Sequence, residues 1–93
     1  MSSEYRKRVV VSGRVQGVGF RFFTYRLAES YRVTGCVRNL PDGKVEIVAE
    51  GDRDQVETFL ERAARGPSSA RITEVRTYSE EPQGSFNTFG VNF

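Results

Sequence analysis

The chain has 93 residues and a formal net charge of +2, a size that accommodates one domain with a two-layer core but no second domain. It contains no histidine and one cysteine, Cys36, which excludes Ser-His and Cys-His nucleophile pairs, histidine or thiolate zinc sites and an intrachain disulfide. No apolar run approaches the length of a membrane-spanning helix or a signal-peptide core. We therefore expect a single cytoplasmic domain over residues 1–93, with chemistry that uses arginine, amides, carboxylates or the backbone.

The N-terminal third of the chain predicts a strand followed by a helix. The side chains of residues Tyr5 to Arg14 fall alternately on two faces, with Val9 and Val11 on one of them. This pattern predicts strand one. Residues from Phe20 to about Tyr31 predict helix one. The apolar stripe expected on that helix consists of Phe20, Phe23, Leu27, Ala28 and Tyr31.

The middle of the chain predicts a hairpin. Residues Thr34 to Leu40 form the expected strand two, and Lys44 to Glu50 form strand three. Between them, Pro41-Asp42-Gly43 is typical of a tight turn, since proline presets the first position and glycine tolerates positive φ. Strand three alternates two sets of residues, Val45, Ile47 and Ala49 against Glu46, Val48 and Glu50.

The C-terminal part predicts a second helix and two more strands. Gly51-Asp52 opens helix two, where Asp52 and Gln55 have the spacing of a capping box, and Arg65-Gly66-Pro67 ends it. Arg71 to Ser79 is the expected strand four. The apolar stripe of helix two is Val56, Phe59, Leu60 and Ala63, and a last strand places Phe89, Val91 and Phe93 on one face.

The resulting order is β-α-β-β-α-β with an extra short C-terminal strand. Two amphipathic helices and a sheet with one apolar face predict an α+β, ferredoxin-like two-layer sandwich, with a mostly antiparallel sheet and both helices on one side. This fold hosts many unrelated functions, so it assigns none.

The stretch from Gly13 to Arg21, between strand one and helix one, is the strongest functional signal. Its glycines allow the first N–H groups of the helix to approach an oxyanion, and Arg21 adds a planar charged group suited to phosphate. The spacing alone leaves two interpretations open, a phosphate site or a tight turn that needs glycine to avoid strain.

Other candidate residues also have ordinary structural interpretations. A lone arginine such as Arg21 is typical of a solvated surface charge, and Asn39, before Leu-Pro-Asp-Gly, is typical of a residue that starts a turn. Cys36 has no histidine to activate it and is typical of a small strand residue. The aromatic residues of helix one, typical of core and helix surface, are Phe20, Phe22, Phe23 and Tyr25.

The segment Val11-Ser12-Gly13-Arg14-Val15-Gln16-Gly17-Val18-Gly19-Phe20-Arg21 resembles the signature of acylphosphatases, and Gly35-Cys36-Val37-Arg38-Asn39 resembles that family's second signature. Similar features follow at Asp42 to Glu46, at Glu50-Gly51 and at Gly66-Pro67, so that the resemblance covers nearly the whole chain. The family commonly has a tryptophan where this chain has Cys36.

The resemblance implies an enzyme that hydrolyses carboxyl-phosphate mixed anhydrides without metal or cofactor. Carried over by motif, Arg21 binds the phosphate and Asn39 orients the attacking water. The backbone N–H groups expected to bind phosphate belong to Val15, Gln16, Gly17, Val18, Gly19 and Phe20. The expected ligands are an acyl phosphate and inorganic phosphate or sulfate, and we expect a monomer that binds neither nucleic acid nor membrane.

Three alternatives stand beside this hypothesis. An RNA-recognition module of the same fold needs aromatic residues on its two central strands, and strands one and three carry none past Tyr5. A second alternative is the related domain of hydrogenase-maturation proteins, which handles carbamoyl phosphate. A third is a module that binds a phosphorylated metabolite without cleaving it.

Overall fold

The computed structural model describes residues 4–92. Seven elements follow one another along the chain: β1 (Tyr5–Arg14), α1 (Phe20–Ala28), β2 (Val33–Asn39), β3 (Val45–Gly51), α2 (Arg53–Ala63), β4 (Arg71–Glu80) and β5 (Phe89–Asn92). They form one five-stranded sheet in the order β4-β1-β3-β2-β5. The β1–β3, β1–β4 and β2–β3 pairs are antiparallel and β2–β5 is parallel, which confirms the predicted ferredoxin-like sandwich.

The core lies between the sheet and the two helices. Val9 and Val11 of β1 face it as predicted, and Ile47 of β3 is fully buried there. Since apolar burial is the main stabilising contribution to folding, this face fixes the register of the sheet. The four residues predicted for the α2 stripe, Val56, Phe59, Leu60 and Ala63, are all buried.

Helix α1 departs from the prediction in length and in its buried face. It ends at Ala28, three residues before the expected Tyr31, because the N–H groups of Glu29 and Ser30 donate to carbonyls three residues back and tighten the last turn. Its buried residues are Phe20, Thr24 and Ala28, whereas Phe23 is only partly buried. The prediction missed Thr24 because threonine was counted as a polar residue on account of its hydroxyl. The methyl group of threonine can nevertheless face an apolar core.

Helix α2 begins after Asp52, but the predicted capping box is wrong. The Asp52 side chain makes no capping hydrogen bond. The Gln55 side chain instead accepts a hydrogen bond from the N–H of Arg32 at 3.1 Å, so it ties the end of the α1–β2 connection to the first turn of α2. The predicted end of the helix is confirmed, with Gly66 at φ 68° just beyond it.

The side of the sheet opposite the helices, which we call the charged face, carries a network of ion pairs. Arg6 contacts Glu50 at 3.1 Å and Glu80 at 2.8 Å. Arg8 contacts Glu80 at 2.9 Å, and Arg38 contacts Glu46 at 2.7 Å. These pairs, together with residues 81–88, bury the charged face of β3 almost as fully as its core face.

Glu50 ties the connection between β4 and β5 to the charged face. Its carboxylate accepts hydrogen bonds from the backbone N–H of Gln83 at 3.2 Å and of Gly84 at 2.7 Å. The guanidinium of Arg6 also lies 5.1 Å from the ring centre of Phe86. These contacts set the path by which the chain reaches β5. Phe93, predicted to share a face with Phe89 and Val91, lies outside the described residues.

Within residues 4–92, no helix has the length and apolar character needed to cross a membrane.

Candidate active site

The segment 15–20, which we call the phosphate loop, joins β1 to α1. Gly17 and Gly19 have positive φ angles of 74° and 81°. A Cβ at either position would meet no heavy atom within 4 Å, so the loop requires glycine for its backbone angles and not for lack of space.

Core packing at both ends and three hydrogen bonds hold the phosphate loop in place. Val15 and Phe20, at its two ends, are buried in the core. The Gln16 side-chain amide donates to the carbonyls of Leu40 at 2.8 Å and Lys44 at 2.9 Å, which joins the loop to the β2–β3 turn. The Ser69 hydroxyl donates to the Val18 carbonyl at 2.9 Å. The loop is therefore braced from two sides.

The predicted site residues come together around one cavity of about 280 Å³. Arg21 of α1 and Asn39 of β2 both line it, although β2 and α1 are separate elements. Its full lining is Val15, Gly17, Gly19, Phe20, Arg21, Phe22, Asn39 and Val91. Of the predicted loop residues, Gln16 and Val18 are not in this lining; the Gln16 side chain braces the β2–β3 turn, and Val18 packs against the core.

Backbone N–H groups without a backbone partner are present where the phosphate loop meets α1. In the described part of the chain, no backbone hydrogen bond outside the regular elements uses an N–H of residues 16–20 as its donor. The first turn of α1 contains no acidic residue, and Gly19 at its N-cap has no side chain to satisfy these groups. The helix dipole adds partial positive charge there, so this end of α1 favours an anion.

Arg21 and Asn39 are each held by a neighbouring strand. The Arg21 guanidinium donates to the Asn92 carbonyl of β5 at 3.4 Å. Asn39 is the last residue of β2, opposite Val45, on the face that looks toward the helices. Both side chains are partly exposed and so reachable from solvent.

Cys36 lies on the charged face of β2, with Val48 and Gly90 beside it on the neighbouring strands. It does not line the cavity. Burial raises the pKa of its thiol, so the sulfur stays protonated at neutral pH and is a poor nucleophile. The register of β2 with β3 remains regular through Asn39, so the cysteine does not disturb the strand that carries it.

Two further observations concern RNA binding and metal binding. On the charged face the central strands β1 and β3 present Arg6, Arg8 and Glu50, among other residues, but no aromatic ring for stacking a base. Among residues 4–92, no group of three or more His, Cys, Asp and Glu side chains is placed to hold a metal ion.

Sequence reasoning missed three contributors to the site. Phe22 was assigned to core and helix surface, yet it lines the cavity, as does Val91 of β5. Gln16 was considered only for its backbone. No local signal identifies Val91, because its place depends on the parallel pairing of β5 with β2.

A model of the acylphosphatase family matches residues 7–91. The chain belongs to the acylphosphatase family. It is 50% identical over 88 residues to an acylphosphatase from Syntrophotalea carbinolica, covering 95% of this chain and 96% of that one. The crystal structure of the Bacillus subtilis acylphosphatase superposes with a TM-score of 0.88 at 32% identity, covering 96% and 99% of the two chains. The predicted family is thus confirmed, and the chain is a hydrolase.

This acylphosphatase also resembles part of a much longer protein. The structure of HypF from T. kodakarensis matches with a TM-score of 0.81 at 37% identity, covering 96% of this chain and 12% of that one.

Proposed function

We propose that this enzyme hydrolyses acyl phosphates to a carboxylate and inorganic phosphate, with the phosphate loop and Arg21 binding the phosphate and Asn39 orienting the water. The observation that supports the proposal is the shared cavity, whose lining includes four residues of the phosphate loop together with Arg21 and Asn39. Membership of the acylphosphatase family supports the reaction class.

The N–H groups of residues 15–20 and the Arg21 guanidinium hold the phosphate oxygens. Phosphoryl transfer passes through a highly charged transition state, so fixed donors around the phosphate supply most of the required stabilisation. The braces at Gln16 and Ser69 keep these donors in place before the substrate binds. This preorganisation lowers the cost of reaching the transition state.

The Asn39 carboxamide both accepts and donates hydrogen bonds, so it can hold a water in line with the bond that breaks. The water oxygen attacks phosphorus, the bond from phosphorus to the acyl oxygen breaks, and the carboxylate leaves with the electron pair. A phosphate oxygen takes the proton of the water. A carboxylate is stable at neutral pH, so the leaving group requires no general acid.

The first test is Arg21→Gln. We expect phosphate affinity and turnover to fall together, with kcat/KM reduced by at least about 10² to 10³, because a charged donor to the phosphate is lost. Calorimetric titration with inorganic phosphate and phosphate release from acetyl phosphate measure the two effects. Arg62→Gln, at an exposed arginine in the last turn of α2, is the matched control. Unchanged phosphate affinity in Arg21→Gln would contradict its binding role.

The second test is Asn39→Ala. We expect kcat to fall by about 10² to 10³ while inorganic phosphate still binds within a fewfold of its original affinity, because the water loses its guide but the phosphate keeps its donors. Asn87→Ala, at an exposed asparagine between β4 and β5, is the control. Wild-type turnover in Asn39→Ala would remove the water-orienting role.

The alternatives give different results in the same assay. Benzoyl, acetyl and carbamoyl phosphate are compared as substrates with and without a chelator. Preferential hydrolysis of carbamoyl phosphate would favour the specificity expected of the domain in hydrogenase-maturation proteins. No turnover, combined with phosphate protection against unfolding, would favour a binding module.

A further inference from the structure

Phe22 is the most exposed large apolar side chain of the described residues, with 63% of its surface accessible. It directly follows Arg21 in the first turn of α1 and lines the cavity of about 280 Å³ beside the phosphate loop, which we call the phosphate cavity. An apolar ring left in solvent beside a binding cavity is typical of a ligand-contacting position.

A second depression begins at the same ring. Its apolar part consists of Gly19, Phe22, Phe23, Leu27 and Pro67, which we call the acyl groove, and Arg26, Glu29 and Ser30 complete the lining. The guanidinium of Arg26 lies 5.6 Å from the ring centre of Phe22 at the edge of the groove. The groove therefore has an apolar floor and a polar rim.

The phosphate cavity and the acyl groove adjoin each other. Gly19 and Phe22 belong to both linings, and a Cβ built on Gly19 would meet no heavy atom within 4 Å. A molecule whose phosphate sits on the loop can thus extend over Gly19 along Phe22. No residue of β2 lines the groove, so this direction leads away from Asn39. In-line attack requires the leaving group to depart on the side opposite the water.

We infer that the acyl groove binds the acyl group of the substrate and that Phe22 is its main specificity residue, through the contact that its ring makes with an aromatic acyl group. This inference rests on the proposed function of the phosphate loop. The occupant of the groove is the part of the substrate covalently attached to the phosphate. An aromatic acyl group stacks on the Phe22 ring, whereas an acetyl group is too short to cover it.

The test compares kcat/KM for benzoyl phosphate and acetyl phosphate in the wild-type enzyme and in Phe22→Ala. We expect the benzoyl-to-acetyl ratio to fall about five- to tenfold in Phe22→Ala, because the stacking surface is lost. Phe22→Tyr should keep the ratio within twofold of wild type. Tyr25→Ala is the matched control, since Tyr25 is a 39% exposed aromatic residue of the same helix that lines neither depression.

A binding measurement separates this inference from the proposed hydrolysis. Calorimetric affinities for phenylphosphonate and methylphosphonate are measured in the same variants, and the phenyl preference should fall by a similar factor in Phe22→Ala. If the wild-type enzyme bound both phosphonates with this preference but released no phosphate from acyl phosphates, the role of the acyl groove would be supported and the proposed hydrolysis would be contradicted. An unchanged ratio in both measurements, or an equal loss for both substrates, would overturn the acyl groove.

Discussion

Gln16 shows how a single side chain connects the two halves of the site. Its amide bonds the carbonyls of Leu40 and Lys44, the residues that follow Asn39 and precede β3. The phosphate loop and the asparagine are thereby held at a fixed separation. Reaction rates depend steeply on such separations, because an error of about 1 Å can cost about 10² in rate.

We therefore expect Gln16→Ala to lower kcat about tenfold or more and the free energy of unfolding by about 1–2 kcal/mol, since two carbonyls lose their donor. Steady-state kinetics and urea denaturation measure the two effects. Gln83→Ala is the control, because Gln83 contacts Glu50 through its backbone N–H only. A variant that loses stability but keeps wild-type kcat would show that Gln16 does not position Asn39.

The sequence predicted Gln16 as a loop residue but could not predict its brace. The contact depends on β1 and β2 both pairing with β3, which brings residues far apart in the chain to one end of the sheet. Arg21 and Asn39 were selected because each stands in a motif, and both line the same cavity. Phe22 was not, since its exposure follows from the orientation of α1 on the sheet.

Among the elements of the fold, β3 is buried on both faces, unlike a strand that has one face exposed to solvent. Its predicted alternation is confirmed, and Val45, Ile47 and Ala49 are the set that lies in the core. The other face is also buried, with Glu50 only 2% exposed, because arginines of β1 and β2 and the β4–β5 connection cover it. Alternation in one strand carries no information about what covers its polar face, so this layer was not predictable.

We expect Glu50→Gln to lower the free energy of unfolding at pH 7 by about 2–3 kcal/mol, because Arg6 loses one of two carboxylate partners in a buried position. The N–H groups of Gln83 and Gly84 lose their charged acceptor as well. Urea denaturation measures the change. Glu81→Gln, at an exposed glutamate of the same connection, is the control and should be neutral. Equal stability of wild type and Glu50→Gln would show that the network contributes nothing to folding.

The two helices show when the hydrophobic pattern of a sequence predicts the buried residues correctly and when it does not. The α2 stripe was predicted residue for residue, since it contains only aliphatic, aromatic and alanine side chains. In α1 the buried line runs through Thr24, whose hydroxyl is buried without a hydrogen-bond partner in the described structure. A pattern based on polarity does not predict that such a residue is buried, although its size and shape fit the core.

For the whole molecule, the charged face makes folding sensitive to acid. Burial opposes ionisation of Glu50, but hydrogen bonds from Gly84, Gln83 and Arg6 outweigh it and hold its pKa below the usual 4.5. On the same face, a hydrogen bond from Arg6 lowers the pKa of Glu80, and on the helix side of the sheet a hydrogen bond from Tyr5 lowers the pKa of Glu57 in α2. A group with a lowered pKa in the folded state stabilises the fold above its unfolded pKa and loses that contribution as the pH falls.

We therefore expect the free energy of unfolding to be nearly constant above about pH 6 and to decrease steadily as the pH falls below about 4.5. Urea denaturation at a series of pH values gives the curve. Glu50→Gln should show a shallower decrease, since one of the titrating carboxylates is gone. A wild-type curve that stays flat down to about pH 3 would contradict the lowered pKa values.

The parallel pairing of β5 with β2 has a practical consequence for handling the protein. Because β5 runs in the same direction as β2, Asn92 lies beside Arg38, and its carbonyl oxygen accepts a hydrogen bond from the Arg21 guanidinium. The start of β1 pairs with Gly51, at the other end of the sheet. An affinity tag or a tether to a solid support that is attached ahead of β1 therefore lies farther from the cavity lined by Arg21 and Asn39 than one attached after β5.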